Sequence, residues 1–195
     1  MNLLVAAKII WAIGVIGWYV IRLPFERKVK RERVVDARHR VRELILLSCS
    51  TLGLGIIPLL WATSKLFDRY NYPYSPVQLA LGTLLFAAAL WLFRRTHQDL
   101  GKNWSVTLEI KDTHKLITEG VYRYVRHPMY SAFFLWALAQ VVLVPNLIAG
   151  PSGLIGFGIL YAFRIGREEA MMLDTFGEEY RVYSARTARL VPGIY

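Results

Sequence analysis

The sequence predicts an all-α, polytopic integral membrane protein with about five transmembrane helices, and three observations predict it. Of 195 residues 55% are hydrophobic, and the mean hydropathy of +0.34 is too high for an ordinary soluble domain of this length. The apolar residues gather into blocks, several of them about long enough to cross a bilayer. The formal charge is nonetheless +10, and the Lys and Arg sit between the blocks, where they would meet anionic headgroups. Nucleic acid is the other common partner of such a charge. It fits poorly, because the charges flank apolar spans and do not cover a soluble face. The single cysteine, Cys49, excludes an intrachain disulfide and a Cys-based zinc site, and reads as a small buried apolar residue.

Leu3 to Ile21 is the first span, apolar apart from Lys8. It is long for a signal-peptide core, and no small-residue cleavage site precedes the charges that follow. Arg22 to Arg42 carries nine Lys/Arg with Glu26, Glu32 and Asp36 interspersed. Mixed charge with few breakers predicts a surface helix there, chiefly a topogenic one. Leu44 to Thr63 is the second span, with a kink expected at Pro58. Lys65 to Ser75 is a short loop whose tyrosines Tyr70, Tyr72 and Tyr74 suit a membrane interface. Pro76 to Phe93 is the third span, with Pro76 in its first turn. Gly53-Leu54-Gly55 lies inside the second span and signals close packing at most.

Arg94 to Arg126 is a long polar segment with seven Lys/Arg. Met129 to Val144 and Leu147 to Phe163 are apolar but short. With a turn at Pro145-Asn146, they predict a tightly packed helical hairpin whose glycines allow close approach. Arg164 to Tyr195 is a polar, aromatic tail with five Lys/Arg, helical to about Ala185 and then extended. The loop after the second span holds only two Lys/Arg. Five spans with the N-terminus outside and the C-terminus in the cytoplasm satisfy all four counts. The chain therefore reads as one membrane domain. Residues 1–93 give three spans and a basic loop; residues 94–195 give a catalytic half with the hairpin 129–163.

The chemistry concentrates in Thr113 to Tyr130, THKLITEGVYRYVRHPMY, between two apolar blocks. A chain that only had to span would not need it. His127-Pro128 starts a span, and the residue before a proline is pushed out of the helical region. His127 thus stands at a helix entrance, where free N–H groups gather and an anionic ligand group is welcome. An interfacial histidine that merely caps the helix is the plainer alternative. Arg164 closes the last span, with Glu168 one turn later on the same face and Glu169 beside it. An i,i+4 ion pair is the plain reading, although Arg before Glu is the weaker orientation. A carboxylate there could bind an ammonium or ribose hydroxyls, and Arg164 could hold an acidic substrate through two parallel bonds. Phe176 to Pro192 has the pattern of an amphipathic surface helix with Tyr180 and Tyr183 as anchors. No Gly-rich loop after a strand, no HExxH and no P-loop is present, and four scattered histidines make no metal cluster.

Taken together, HKLI at 114–117, GVY at 120–122, RHPMY at 126–130, RIGREE at 164–169, and FGEEYRVY with RTARLVP near the end resemble the isoprenylcysteine carboxyl methyltransferase family of integral membrane enzymes. RHP-x-Y alone is a weak signal; its order and spacing relative to Arg-x-x-x-Glu and FGEEY make it specific. The resemblance covers about the last half of the chain, the first two spans matching only in kind, and the small number of spans looks like a microbial form. It implies an S-adenosylmethionine site lined by His114, Leu116, Ile117, Tyr122, His127, Pro128, Met129, Tyr130 and Glu168, with Arg164 as the catalytic residue that holds a substrate carboxylate. The implied partners are the bilayer and a lipophilic, prenylcysteine-like carboxylate, with no metal and no nucleic acid, and the active site on the cytoplasmic side. A phospholipid amine N-methyltransferase and a non-enzymatic membrane scaffold are the two alternatives. The first would need a proton acceptor and have less use for Arg164; the second gains nothing from RHP-x-Y with Arg-x-x-x-Glu.

Overall fold

The structure, a computed structural model, describes residues 2–29, 34–37, 40–101, 109–111 and 115–194. Helices dominate. α1 is Leu3–Val29 and α2 is Arg40–Thr51, which runs through a π turn at Leu52–Ile56 into α3, Ile57–Thr63. α4 is Pro76–Leu100, α5 Pro128–Leu143, α6 Ala149–Phe176 and α7 Glu178–Arg186. Three helical stretches are long and apolar enough to cross a membrane: Leu3–Glu26, Val41–Thr63 and Pro76–Leu100. α5 is apolar but only 16 residues, about 24 Å at 1.5 Å per residue, against a hydrocarbon core of about 30 Å. α6 is 28 residues long, but Arg164 and the charges beyond it occupy its second half. α5 and α6 pack against each other across the Pro145-Asn146 turn, α6 running on to Phe176, beyond the expected end at Phe163.

Side chains explain the packing order. In α1, Ala7, Trp11 and Gly14 face inward at helical spacing, while Ile9, Ile13, Ile16 and Val20 are exposed as a lipid-facing stripe. In α4, Gly82, Phe86, Ala89 and Phe93 form the inward face. α4 lies between α1 and α5, and α6 between α5 and α2. A Cβ on Gly14 would stand 2.2 Å from the Phe86 ring, and one on Gly82 would stand 2.9 Å from the Leu143 backbone. The core is aromatic where these helices meet, with Trp136 against Trp18, Phe86 and Phe133.

Helix ends follow their local chemistry. Ser75 accepts from Gln78 N and Gln78 answers onto the Ser75 backbone, a capping box ahead of Pro76. Asn146 Oδ1 accepts from the N–H groups of Ile148 and Ala149, and its amide nitrogen donates to Phe67 O and Asn71 Oδ1, both at 2.8 Å. This ties the 65–75 loop to the hairpin turn at one end of the bundle. The π turn precedes Pro58, as expected of a kink site: a proline has no N–H to give to the preceding turn. It leaves Gly53 O to accept from Ser152 Oγ at 2.8 Å and Gln140 Nε2 at 3.1 Å.

Two expectations need correction. The Arg22–Arg42 stretch is not a separate surface helix. α1 continues through it to Val29, helped by an Arg22–Glu26 pair at 2.7 Å one turn apart. Val34–Ala37 (β1) then pairs antiparallel with Glu109–Lys111 (β2), with a bulge between Val34 and Asp36, as suits two adjacent β-branched valines. The ribbon joins the segments after α1 and α4 at the other end of the bundle. Cys49 is half-buried rather than buried.

Candidate active site

At the end of the bundle that carries β1 and β2, the chain enters α5 through His127 (φ −126°, ψ 60°), and Pro128 opens the helix. His127 forms no side-chain cap, so the plain capping role does not describe it. The entrance is instead sewn to the tail beyond α7. Arg126 N donates to Ala188 O at 2.9 Å and His127 N to Arg189 O at 3.1 Å. Ser131 Oγ donates to Leu190 O at 2.6 Å, and Tyr183 OH to Tyr122 O at 2.7 Å. The amphipathic-helix reading of the tail thus holds only for part of it: Tyr180 and Tyr183 are buried against the protein and are not surface anchors.

α6 brings its acid pair against this entrance. Glu169 is enclosed by cations: Arg126 Nε at 2.7 Å, Arg189 Nη2 at 2.6 Å and His127 Nε2 at 3.2 Å. Arg126 also donates to the carbonyls of Ser184 and Thr187. Glu168 receives the Tyr130 hydroxyl at 2.6 Å, with His127 Nδ1 at 3.4 Å and Arg164 Nε at 3.8 Å. Arg164 Nη1 reaches a third acid, Glu43 at the mouth of α2, at 3.4 Å.

Both His127 ring nitrogens therefore face carboxylates, which accept hydrogen bonds and cannot donate. A nitrogen can donate to them only if it carries hydrogen, so this geometry favours the imidazolium. Burial opposes this, but the bonds to Glu168 and Glu169 outweigh it and raise the His127 pKa above 6.5. Burial likewise pushes Glu168 up, yet His127, with Arg164 and Tyr130, holds it at about 2. Glu169 is held well below the usual carboxylate range against the cost of burial, by His127, Arg126 and Arg189. With His127 protonated, three carboxylates face three guanidinium groups and one imidazolium, one positive charge in excess.

Of the three acids, Glu168 is the most open: its side chain is 26% exposed, against 18% for Glu169 and 5% for Glu43. The approach to the cluster is shaped by Gly120. Its φ of +62° suits glycine, and a Cβ there would stand 2.1 Å from Asp99 Oδ2, which accepts from Val121 N at 2.8 Å. That turn delivers Tyr122, buried, with Glu168 raising its phenol pKa further after burial.

The structure brings Tyr122, His127, Pro128, Tyr130, Arg164 and Glu168 together. Met129 is half-buried in the first turn of α5, and Leu116 and Ile117 are half-buried in the irregular segment before Gly120. His114 lies outside the described residues. The sequence reading missed Glu43, Asp99, Arg189 and the role of Glu169. Glu43 had a signal, because an ionisable group at the edge of an apolar span is costly without a use. Arg126–Glu169 and Arg189–Glu169 join residues 43 and 20 apart, and no local spacing announces them.

The donor set fits S-adenosylmethionine. An open carboxylate stands ready for an ammonium, and first-turn N–H groups of α5 beside an imidazolium stand ready for a carboxylate. Among the described residues no group of three His, Cys, Asp or Glu could hold a metal ion.

Comparison with known proteins points the same way. Residues 79–174 match the profile of the isoprenylcysteine carboxyl methyltransferase (ICMT) family. The human protein-S-isoprenylcysteine O-methyltransferase is 37% identical over 92 residues, 47% of this chain and 32% of that protein. The Dictyostelium discoideum enzyme of that name is 35% identical over 101 residues, 49% of this chain and 41% of the relative. Arabidopsis thaliana protein-S-isoprenylcysteine O-methyltransferase B is 34% identical over 114 residues, 58% and 55% respectively. The chain thus spans between about a third and just over half of the relatives it matches. The solved structure of a eukaryotic intramembrane Ras methyltransferase ICMT superposes with a TM-score of 0.55 at 24% identity, over 80% of this chain and 54% of that one, and so shares the fold. With three membrane-length helices, this is an integral membrane protein, and its residues 79–174, just under half of the chain, carry the profile of the isoprenylcysteine carboxyl methyltransferase family.

Proposed function

We propose that the protein is an S-adenosylmethionine-dependent methyltransferase that esterifies a lipophilic, prenylcysteine-like carboxylate at the membrane surface. The observation that carries this reading is Arg164: a buried guanidinium one helical turn from the open acid Glu168. S-adenosylmethionine supplies an electrophilic methyl group, which a carboxylate oxygen takes with its lone pair while the S–CH3 electron pair stays on sulfur.

The chain's own residues do the rest. Glu168, steadied by Tyr130 and His127, holds the cationic amine of the methyl donor. His127, Pro128, Met129 and the first turn of α5 receive its carboxylate, and Leu116, Ile117 and Tyr122 close around the remainder, with His114 on the same segment. Arg164 aligns the substrate carboxylate through parallel hydrogen bonds. That carboxylate is already ionised at neutral pH, so no general base is required; alignment and exclusion of water carry the rate. The lipid chain would arrive from the bilayer toward Tyr130, whose ring meets those of Phe157 and Tyr161, with Phe134 beside both. The positive excess of the cluster weighs against a phospholipid amine as nucleophile, since positive charge grows on an amine as it is methylated.

The Lys/Arg counts of nine, seven and five in the segments after the first and third spans and in the tail, against two after the second, support an orientation with the site and C-terminus cytoplasmic, the N-terminus outside and five spans in all.

Arg164 is the test. Arg164→Ala should retain S-adenosylmethionine affinity and lose carboxyl methylation of a prenylcysteine analogue, at roughly 3–5 kcal/mol of transition-state stabilisation. Arg164→Lys should recover part of it, because an ammonium cannot reproduce the fork. Full turnover by Arg164→Ala, or faster methylation of an amine lipid, would overturn the carboxyl reading.

A further inference from the structure

Arg164 serves two acids, and only one of them belongs to the segment that matches the family. Glu168 lies one turn along α6. Glu43 lies in the first turn of α2, 4% exposed, outside residues 79–174. A carboxylate buried at the mouth of an apolar helix is expensive. The helix dipole recovers a little of that cost in the first turn, but a helix start does not require a buried acid. Glu168 stands at 3.8 Å from its partner Arg164 Nε, so Arg164 has an acid on each side. Glu43 stands 3.4 Å from Nη1, at the far end of the guanidinium from Nε.

The chemistry of esterification gives this arrangement a purpose. The substrate enters as an anion and leaves as a neutral ester, so its oxygen loses charge as the new bond forms. A guanidinium with an undivided positive charge would stabilise the entering anion more than the transition state. It would bind tightly and react slowly, because energy spent on the ground state does not lower the barrier. A second carboxylate on the same guanidinium lowers that attraction while keeping the plane of the fork fixed from the α2 side.

We infer that Glu43 is a positioning residue that anchors Arg164 and shares its charge, so that the substrate carboxylate is aligned without being over-stabilised. The inference rests on the carboxyl methyltransferase reading above. It makes the N-terminal half of the chain, through one side chain, a determinant of how the catalytic half handles its substrate.

The test uses the full chain in detergent or nanodiscs, with N-acetyl-S-farnesylcysteine and its methyl ester as probes. Affinities are measured by calorimetry with no methyl donor present, and turnover separately. Glu43→Gln should bind the acid roughly tenfold more tightly, bind the ester and S-adenosylhomocysteine as the unmodified chain does, and lower kcat and KM together. Glu43→Asp retains the charge but draws it back by one methylene. It should keep the unmodified ratio of acid to ester affinity and lose several-fold in kcat. Unchanged or weaker acid binding by Glu43→Gln would overturn the inference and leave Glu43 a structural counter-ion. Should Glu43→Gln fail to fold, Glu43→Asp decides alone: undiminished kcat overturns the inference. If the unmodified chain itself methylates no prenylcysteine acid, the underlying reading fails, and that outcome is visible before any variant is made.

Discussion

The hydroxyl of Tyr130 donates to Glu168 Oε2 at 2.6 Å, joining the first turn of α5 to the last third of α6. Glu168 thereby keeps one oxygen occupied by a neutral donor while its carboxylate stays ionised. If it holds the methyl donor, Glu168→Gln and His127→Ala should each weaken S-adenosylmethionine binding about tenfold or more, since charged hydrogen bonds contribute about 1.5–3 kcal/mol. Tyr130→Phe should weaken it less, and Glu178→Gln, on an acid 72% exposed in α7, should change little. Calorimetry on folded protein decides; unchanged affinity in both Glu168→Gln and His127→Ala would remove the site assignment.

The imidazolium of His127 should be visible in the pH dependence of stability. Its pKa is raised from 6.5 in the folded chain, so its contribution is complete below 6.5 and is lost as pH climbs through the raised value. Glu168 acts in the opposite sense. Its pKa falls from 4.5 to about 2, so its contribution is complete above 4.5 and disappears as pH drops toward 2. Thermal unfolding in detergent should therefore show a plateau between about 4.5 and 6.5 and a decline on each side. His127→Gln should flatten the alkaline limb; an identical alkaline decline in that variant would show that another group is responsible.

The crossing of α2 and α6 makes a stability prediction. A Cβ at Gly53 would stand 2.2 Å from Ser152 O, and one at Gly156 would stand 2.4 Å from Cys49 O. Both obstacles are backbone, so neither can rotate aside. Gly53→Ala and Gly156→Ala should each destabilise by about 1–3 kcal/mol. Gly158, two residues along the same helix, has nothing within 4 Å of such an atom, and Gly158→Ala should be neutral or stabilising by up to about 1 kcal/mol. Equal effects at all three positions would mean that helix propensity, not close approach, sets the outcome.

Orientation is checked by cysteine labelling on a Cys49→Ser background. A cysteine at position 194 should react only from the cytoplasmic side. One at position 66, in the loop after α3, should react only from the outside. Labelling of both from the same face would contradict the alternation of the loops.

The membrane-length helices were legible because lipid demands long apolar runs, and the hairpin because Pro145-Asn146 breaks one. Their polar ends were not. α1, α4 and α6 run on for a turn or more past the end of the continuous apolar run, where pairs such as Arg22–Glu26 replace lipid contact as the support. At the site, His127, Tyr130, Arg164 and Glu168 could be read because each lies near a recognisable helix boundary. Glu169 could not be told from Glu168 in advance. Adjacent residues on a helix point about 100° apart, and only the packed structure shows that one turns to the open side and the other to Arg126 and Arg189. Glu43 could be noticed at the edge of an apolar span, but its partner lies 121 positions away in sequence.

The backbone bonds from Arg126 and His127 to Ala188 and Arg189 impose an order on biosynthesis. Every membrane helix precedes residue 188 in the chain, so the segment that fastens the entrance of α5 is synthesised after the helices and docks after an interval. During that interval Glu169 lacks Arg189, and the N–H groups of Arg126 and His127 lack their carbonyls. The entrance of α5 is therefore complete only once the segment around Ala188 and Arg189 has docked.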